Sequence, residues 1–234
     1  MGPAMSATST DGVWARPPSG ACPGDERLPY WIDEGQAGLQ GPWLVLAHGA
    51  GAGPLHPVQA AFTACFRRLG WNVLRFAFPF RAARPAGRIG RDSPARGQAA
   101  VSAAFRTAQG FAGVAPVVLA GHSYGARRTL EWLSDAAPPV AGALLLAYPL
   151  APPKRKTPAP LPRLPGGVPC AFISGDRDVL APPGSLEAAL AGQGSARLWR
   201  IAGADHGWSR PKTLFAEEGP LAQALRTFLG PLGI

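Results

Sequence analysis

Three polar residues in the chain have the types and the order that nucleophilic catalysis requires. Ser123 lies in the pentapeptide GHSYG, Asp178 ends the segment CAFISGDRD, and His206 lies in the segment GADHGW. A serine hydroxyl is a weak nucleophile unless a neighbouring base takes its proton and a third group orients that base. The order Ser, Asp, His along the chain fits this division of roles. We therefore predict Ser123 as the nucleophile, His206 as the base and Asp178 as the group that orients it.

Two further carboxylates lie close to these residues in the sequence. Asp176 follows the same apolar run as Asp178, and Asp205 directly precedes His206. An adjacent side chain rarely reaches the far nitrogen of an imidazole ring, so Asp205 is a poor orienting group. Asp178 therefore completes the predicted set.

The chain has four histidines, and only His206 follows the last apolar run. His56 opens a helical pattern, which indicates a surface or capping residue. His122 is the variable position of GHSYG, for which a local hydrogen bond is the simplest role. No two histidines have the spacing H-x-x-x-H, so we expect no metal site, and nothing in the sequence implies a cofactor.

The context of Ser123 supports its assignment more strongly than the pentapeptide does, because G-x-S-x-G is a weak signal in a chain with 30 glycines. The apolar run VVLAG (117–121) directly precedes the serine, and a helical pattern directly follows it. A tight turn from strand to helix requires small flanking residues, here Gly121 and Gly125, and it exposes the hydroxyl above the strand end. The alternative is an ordinary strand-to-helix turn with glycines for packing.

A glycine-rich segment, LVLAHGAGAGP (44–54), supplies the candidate oxyanion hole. Acyl transfer places negative charge on the former carbonyl oxygen, and each fixed donor there contributes about 3 kcal/mol. We predict the backbone N–H groups of Ala50 and Tyr124 as these donors. The alternative is a phosphate-binding loop, but this segment lacks the Lys-Ser/Thr pair that such a loop contains. Four residues near these segments are candidates for contact with substrate: His48, Gly49, His122 and Arg81.

Apolar runs alternate with helical patterns along most of the chain. The predicted strands are 43–48, 72–78, 117–121, 143–149, 170–174 and 197–203, with one or two poor edge strands within 27–40. The predicted helices are 56–70, 97–112, 126–137, 184–192 and 220–230. This alternation predicts an α/β fold with a mostly parallel central sheet and helices on both faces. The predicted catalytic residues then lie at the carboxyl ends of strands, where such sheets place their sites.

Two connections, 79–97 and 150–167, are rich in Pro, Gly and basic residues and are predicted to be non-helical loops. Neither resembles an inserted helical lid, so we expect an open cleft that suits a small polar acyl group. Four arginines of the first loop are candidates for the rim of that cleft, where they would favour anionic substrates: Arg81, Arg84, Arg88 and Arg91. The alternative is that they are solvated loop residues.

Length and composition limit the remaining possibilities. The 234 residues suit one domain over 26–234 behind a disordered tail at 1–25. No apolar run approaches the roughly 20 residues that span a bilayer. The three cysteines form no spaced pair, which argues against a disulfide framework and favours a cytoplasmic setting. We expect Cys65 and Cys170 to be buried thiols. The net charge of +9 comes from 20 arginines and three lysines scattered along the chain, so we expect no nucleic-acid partner. The sequence does not fix the oligomeric state.

Six segments in order resemble one family of proteins: LAHGAGAG, WNVLRFAFPF, GHSYGAR, AYPLAPP, ISGDRD and GADHGW. From about residue 42 to the end, the chain resembles the α/β-hydrolases, and within them the KANL/Tex-type hydrolase-like proteins, relatives of the dienelactone hydrolases. The resemblance implies the same triad, Ser123, Asp178 and His206. Tyr124 stands where methionine is expected, and YPLAPP lacks the histidine of YPLHPP.

These observations predict a serine hydrolase that cleaves a small ester or thioester through an acyl-enzyme, with a small-molecule acyl substrate as its partner. Two alternatives stay open. The resemblance includes relatives that serve as scaffold subunits in chromatin complexes, so the fold is also compatible with a non-catalytic interaction module. The same site is also compatible with hydrolysis of an amide or a carbon–carbon bond.

Overall fold

Short apolar runs form the strands of one central sheet. The computed structural model describes residues 14–22, 28–85, 90–151 and 160–232. In these residues the strands are β1 (Gly20–Ala21), β2 (Pro29–Asp33), β3 (Trp43–Ala47), β4 (Asn72–Phe76), β5 (Val117–His122), β6 (Gly142–Leu146), β7 (Cys170–Gly175) and β8 (Ala196–Ile201). Their order across the sheet is β1-β2-β4-β3-β5-β6-β7-β8. Strands β3 to β8 are parallel to one another. Strands β1 and β2 form an antiparallel edge beside β4.

Helices cover both faces of this sheet, which confirms the predicted fold class. They are α1 (Pro57–Arg68), α2 (Pro79–Ala82), α3 (Pro94–Ala112), α4 (Tyr124–Ala136), α5 (Ser185–Leu190) and α6 (Pro220–Leu229). Phe66 of α1 and Leu225 of α6 share one apolar cluster with Leu44 of β3. Val45, the next residue of that strand, belongs to the opposite cluster together with Leu130 of α4. Because successive side chains of a strand point to opposite faces, a continuously apolar run such as β3 is buried on both sides.

The strand order reverses beside β3, because the chain continues from β3 to its neighbour β4 on one side and later returns through β5 on the other. Open α/β sheets bind ligands in the crevice at this point, outside the carboxyl ends of the strands. The glycine-rich segment that follows β3 and the turn that follows β5 flank this crevice. The fold therefore brings the two sequence motifs with predicted chemistry to the same place.

The connection 79–97 contains helix at both ends, so the prediction of a non-helical loop was wrong there. Helix α2 begins at Pro79 and helix α3 at Pro94. Proline suits the first position of a helix because its missing N–H has no partner there anyway. The Ser93 hydroxyl accepts the backbone N–H of Arg96 at 3.3 Å and caps α3. The Ser-Pro pair was thus a helix start signal in the sequence. Arg88 and residues 152–159 of the second predicted loop lie outside the described residues.

The predicted disordered tail contains an ordered piece, residues 14–22, and for these residues the prediction was wrong. The rings of Trp14 and Trp31 meet edge to face with centroids 4.8 Å apart. Arg16 forms an ion pair with Asp33, with 2.7 Å between nitrogen and oxygen. Aromatic and charged anchors therefore fix a segment whose Gly, Pro and Ser content is typical of a tail. The remaining residues of that tail lie outside the described ranges.

Candidate active site

Ser123 occupies a strained turn between β5 and α4. Its backbone angles are φ 53° and ψ −112°, a conformation that costs a residue other than glycine of order 1–3 kcal/mol. A Cβ atom at Gly121 would lie 2.5 Å from the backbone nitrogen of Ala126. A Cβ atom at Gly125 would lie 2.4 Å from the carbonyl oxygen of Ala47. The predicted strand–turn–helix arrangement is confirmed, and both glycines are present because backbone passes directly beside them.

Ser123, His206 and Asp178 form one chain of hydrogen bonds. The hydroxyl oxygen of Ser123 lies 2.8 Å from Nε2 of His206. Nδ1 of His206 lies 3.0 Å from each carboxylate oxygen of Asp178. If Nδ1–H donates to the carboxylate, Nε2 presents its lone pair to the hydroxyl, which is the tautomer that a general base requires. The three side chains named from the sequence are therefore brought together in hydrogen-bonding geometry.

The carboxylate of Asp178 is fixed from a second direction. Its Oδ1 accepts the backbone N–H of Leu180 at 2.8 Å, and the residue is only 1% exposed. The other two carboxylates are occupied elsewhere: Asp176 accepts the backbone N–H of Gly203 at 2.8 Å, and Asp205 accepts that of Ser209 at 2.9 Å. Asp176 and Asp205 thus brace the loops after β7 and β8, and neither contacts the imidazole of His206 in the described structure.

His122 supports the loop that carries His206. Its Nε2 lies 3.3 Å from the carbonyl oxygen of His206, and its Nδ1 lies 3.5 Å from the amide nitrogen of Gln59. These partners are satisfied when Nε2 carries the proton and Nδ1 accepts. Burial, reinforced by the nearby His206, lowers the pKa of His122 to about 4, so the ring is neutral near neutral pH. His122 therefore makes the local hydrogen bond that was its simplest predicted role, and its ring nitrogens are not available for substrate.

His48 is a second buried histidine, and its predicted contact with substrate is wrong. The backbone N–H of Phe78 donates to its Nε2 at 3.0 Å, and its Nδ1 lies 2.8 Å from the carbonyl oxygen of Gly49. Burial lowers the pKa of His48 to about 3, so the neutral ring accepts at Nε2 and donates at Nδ1. With both nitrogens occupied, His48 fixes the glycine-rich segment against the end of β4. The fourth histidine, His56, accepts the N–H of Val58 and caps α1, which confirms the capping prediction.

The glycine-rich segment passes directly beside the serine. A Cβ atom at Gly49 would lie 3.5 Å from Cβ of Ser123, and Ala50 lines the same cleft as Ser123 and Tyr124. Tyr124 is the first residue of α4, and the first N–H groups of a helix have no partner within it. Ala50 and Tyr124 as oxyanion donors remain a prediction, for which this placement is suitable. The lack of a side chain at Gly49 permits this close approach, and the contact of Gly49 with substrate stays a prediction.

The cleft at Ser123 has a volume of about 250 Å³. Its apolar part includes Pro149 and Leu180, and the ring of Tyr124 stands on one side, edge to face with Phe78 at a centroid distance of 5.0 Å. This volume lies below the roughly 300–1,000 Å³ of pockets for drug-sized ligands. The cleft is therefore small for a ligand site.

Most of the arginines that line the cleft are not the ones predicted for its rim from the sequence. Arg91 lines the cleft, but Arg81 is 4% exposed, packs against Gly53 and is not part of the lining, so its predicted contact with substrate is wrong. Arg84 is exposed and also outside the lining. Two arginines that sequence reasoning missed, Arg127 and Arg128, complete the lining. The signal for the first was its spacing, because position i+4 from Ser123 falls on the same side of α4.

Two kinds of feature are not found within the described ranges. No helix there is long and apolar enough to cross a membrane. In the same residues, no three His, Cys, Asp or Glu side chains are grouped as a metal ion would require.

Comparison with known proteins identifies the family. The model of the alpha/beta hydrolase domain family matches residues 40–227, which is most of the chain. No curated protein was found to match. A serine hydrolase without a lid from Xanthomonas campestris is 20% identical, with a TM-score of 0.66 over 87% of this chain and 88% of that one. The protein Est1E from Butyrivibrio proteoclasticus is 14% identical, with a TM-score of 0.67 over 88% of this chain and 94% of that one. An alpha-beta serine hydrolase homologue from Coxiella burnetii is 22% identical, with a TM-score of 0.61 over 76% and 83% of the two chains. The chain belongs to the alpha/beta hydrolase domain family.

Proposed function

We propose that the protein is a serine hydrolase that cleaves small esters or thioesters through an acyl-enzyme intermediate. The observation that carries this proposal is the continuous hydrogen-bonded chain from Ser123 through His206 to the buried carboxylate of Asp178. A serine hydroxyl becomes a strong nucleophile when a base of this kind is within hydrogen-bonding distance. Membership of the alpha/beta hydrolase domain family supports the same conclusion.

In the first half of the reaction, the Ser123 oxygen attacks the carbonyl carbon of the substrate while Nε2 of His206 takes the hydroxyl proton. The carbonyl oxygen gains negative charge, which the N–H groups of Ala50 and Tyr124 stabilise. The bond to the leaving alcohol or thiol then breaks, and His206 returns the proton to that leaving group. Asp178 stabilises the imidazolium throughout, because its carboxylate accepts the hydrogen bond from Nδ1.

In the second half, water replaces the leaving group. His206 takes a proton from water, the resulting oxygen attacks the acyl carbon, and the Ser123 oxygen leaves with the proton from Nε2. The products are a carboxylic acid and the original enzyme. Water is the co-reactant of the second half, and neither half requires an electron transfer.

The size of the cleft supports a small acyl group. Its volume of about 250 Å³ accommodates a short acyl chain with a polar end. One solved relative by fold, Est1E, has been determined with ferulic acid bound. Within the family, the segments around Ala50 and Pro149 favour a place near the KANL/Tex-type hydrolase-like proteins, which we propose on the sequence motifs alone.

The test is hydrolysis of p-nitrophenyl esters of increasing acyl length by the wild type and by Ser123→Ala, His206→Ala and Ser102→Ala. Ser102 lies on α3, outside the residues that line the cleft, and serves as the matched control. We expect turnover of the short esters by the wild type and Ser102→Ala, an initial burst of p-nitrophenol, and loss of both in the other two variants. Equal rates in the wild type and Ser123→Ala, with all proteins folded, would contradict the proposal and favour a non-catalytic interaction module.

A further inference from the structure

The cleft beside Ser123 has an excess of positive charge. Arg91, Arg127 and Arg128 line it, together with one carboxylate, Asp92. That carboxylate is already occupied, because its Oδ2 accepts the backbone N–H of Phe80 at 3.2 Å and its Oδ1 lies 3.8 Å from Arg96. The carboxylate of Asp92 is therefore held by Phe80 and Arg96, which are not among the three arginines that line the cleft.

Arg128 is paired and has a structural role. Its Nη2 lies 2.7 Å from Oε1 of Glu131, and its guanidinium lies 5.3 Å from the centroid of the Tyr124 ring. Its aliphatic part packs against Gly97, where a Cβ atom would lie 2.7 Å from Cδ of Arg128. Arg128 thus fixes Tyr124 and joins α3 to α4, and Glu131 neutralises its charge.

Arg127 shares that one carboxylate and keeps its outer nitrogens free. Only its Nε contacts Glu131, at 3.3 Å, and within the described residues Nη1 and Nη2 have no hydrogen-bond partner. Arg91 forms no hydrogen bond or ion pair in the same residues. The hydroxyl of Tyr148 is buried and also has no hydrogen-bond partner among them. Arg91 therefore lines the cleft without a counter-charge among the described residues, and Arg127 presents two unbonded outer nitrogens although its Nε is paired with Glu131.

The position of Arg127 relates this charge to the nucleophile. Its backbone N–H donates to the carbonyl oxygen of Ser123 at 3.1 Å, so the two residues are one helical turn apart. Residues four positions apart lie on the same side of a helix. A short acyl group on the Ser123 oxygen can therefore direct its far end towards the arginine. The planar fork of a guanidinium matches a carboxylate with two parallel hydrogen bonds.

We propose that the cleft selects esters or thioesters whose acyl group ends in a carboxylate, which Arg127 and Arg91 bind while the reactive carbonyl lies at Ser123. This assignment rests on the proposed hydrolase function and specifies its substrate class. The substrate is thus a monoester or monothioester of a short dicarboxylic acid, and the products are the dicarboxylate and an alcohol or thiol.

The test compares each monoethyl ester of succinate, glutarate and adipate with an uncharged isostere, in which two methyl groups replace the carboxylate oxygens. The readout is the ratio of kcat/KM for the charged ester to that for its isostere. We expect a ratio of at least about ten in the wild type for one chain length, as charged hydrogen bonds imply. Arg127→Gln and Arg91→Gln should each lower it about fivefold or more, whereas Arg127→Lys should retain part of it. Arg106→Gln, a surface arginine of α3, is the matched control and should leave it unchanged.

A binding measurement keeps the two proposals separable. Calorimetry on folded Ser123→Ala should show binding of the charged ester, weakened when Arg127→Gln is added. Hydrolysis of both esters at equal rates by the wild type would overturn the carboxylate site and leave the hydrolase function intact. Binding that depends on Arg127 without hydrolysis of any ester would support the carboxylate site and overturn the hydrolase function. Absence of both binding and hydrolysis would overturn the two together.

Discussion

The two walls of the cleft are built on opposite principles. The reacting wall presents Ser123 to the cleft, with His206 and the buried Asp178 behind it, and the side-chain polar atoms of this set are held by partners within the protein. The arginine wall consists of Arg91 and Arg127, whose outer nitrogens have no partner within the described residues. A group that transfers protons must be oriented before the substrate arrives, whereas a group that binds charge must be free to meet it. In the function proposed here, this difference lets one small cleft combine ester cleavage with selection of the acyl group.

Replacement of Asp178 has the largest expected effect, because it breaks the reacting wall. In Asp178→Asn the amide favours the wrong imidazole tautomer, and kcat should fall by about 10³–10⁴. The assay is turnover of the best short ester, with circular dichroism to verify the fold. Asp176→Asn is the matched control, since an amide oxygen can still accept the N–H of Gly203, and kcat should change little. A comparable loss in both variants would mean that the orienting carboxylate has been misassigned.

Gly125→Ala tests the backbone that supports the reacting wall. The added Cβ atom would lie 2.4 Å from the carbonyl oxygen of Ala47, so the turn must shift or the fold must loosen. We expect a loss of about 2–4 kcal/mol in the free energy of unfolding, measured with urea, and loss of activity. Gly110→Ala is the control: its Cβ atom has nothing within 4 Å, and alanine should stabilise α3 by about 0.5–1 kcal/mol. Wild-type activity in Gly125→Ala would refute the close-packed turn.

The pH dependence of stability tests the support given by His122. Its pKa is about 4 in the folded protein, below the usual value of 6.5, because burial and His206 disfavour the charged ring. Between these two values the unfolded chain binds more protons, so stability should fall as the pH is lowered through this window. The loss due to this residue reaches up to roughly 3 kcal/mol near the lower pH. Urea unfolding of the wild type and His122→Gln across this pH window measures the loss, and the free energy of unfolding of the variant should decrease less. Parallel curves for the two proteins would disprove a neutral, buried His122.

The smallest effect is expected at Arg84, an arginine of the same loop region that lies outside the arginine wall. Its side chain is exposed, and the contact it provides to Arg81 is through its backbone carbonyl. Arg84→Gln should therefore alter the preference for charged esters by less than about twofold. The measurement is the same ratio of kcat/KM that Arg91→Gln is expected to lower. An equal decrease in both variants would indicate a diffuse electrostatic effect instead of a defined site.

The fold and the reacting wall were accessible to sequence reasoning because local rules determine both. Continuously apolar runs such as β3 indicate strands buried on two faces, and the glycines around Ser123 indicate a turn with backbone on either side. The order of Asp178 and His206 then follows from the carboxyl ends of successive strands. Each of these inferences depends on spacing within a short segment and needs no knowledge of distant contacts.

The arginine wall was not accessible in the same way. Arg81 and Arg91 belong to the same arginine-rich connection between β4 and α3, yet Arg81 lies in α2 and is buried against Gly53, whereas Arg91 lines the cleft. Which guanidinium is buried depends on a tertiary neighbour, Gly53 beside Arg81, whereas the pairing of Arg127 and Arg128 with Glu131 is local to α4. The buried histidines follow the same logic, because the neutral state of His48 results from partners that the sequence alone does not place beside it.

The most direct test of the central claim is the intact mass of the protein after incubation with a fluorophosphonate. Such a probe forms a stable bond to a serine only when a neighbouring base activates the hydroxyl. We predict a single adduct on the wild type, located at Ser123 by peptide mapping, and no adduct on Ser123→Ala or His206→Ala. A folded wild type that remains unlabelled, or an adduct that persists in Ser123→Ala, would contradict the assignment of Ser123 as the nucleophile.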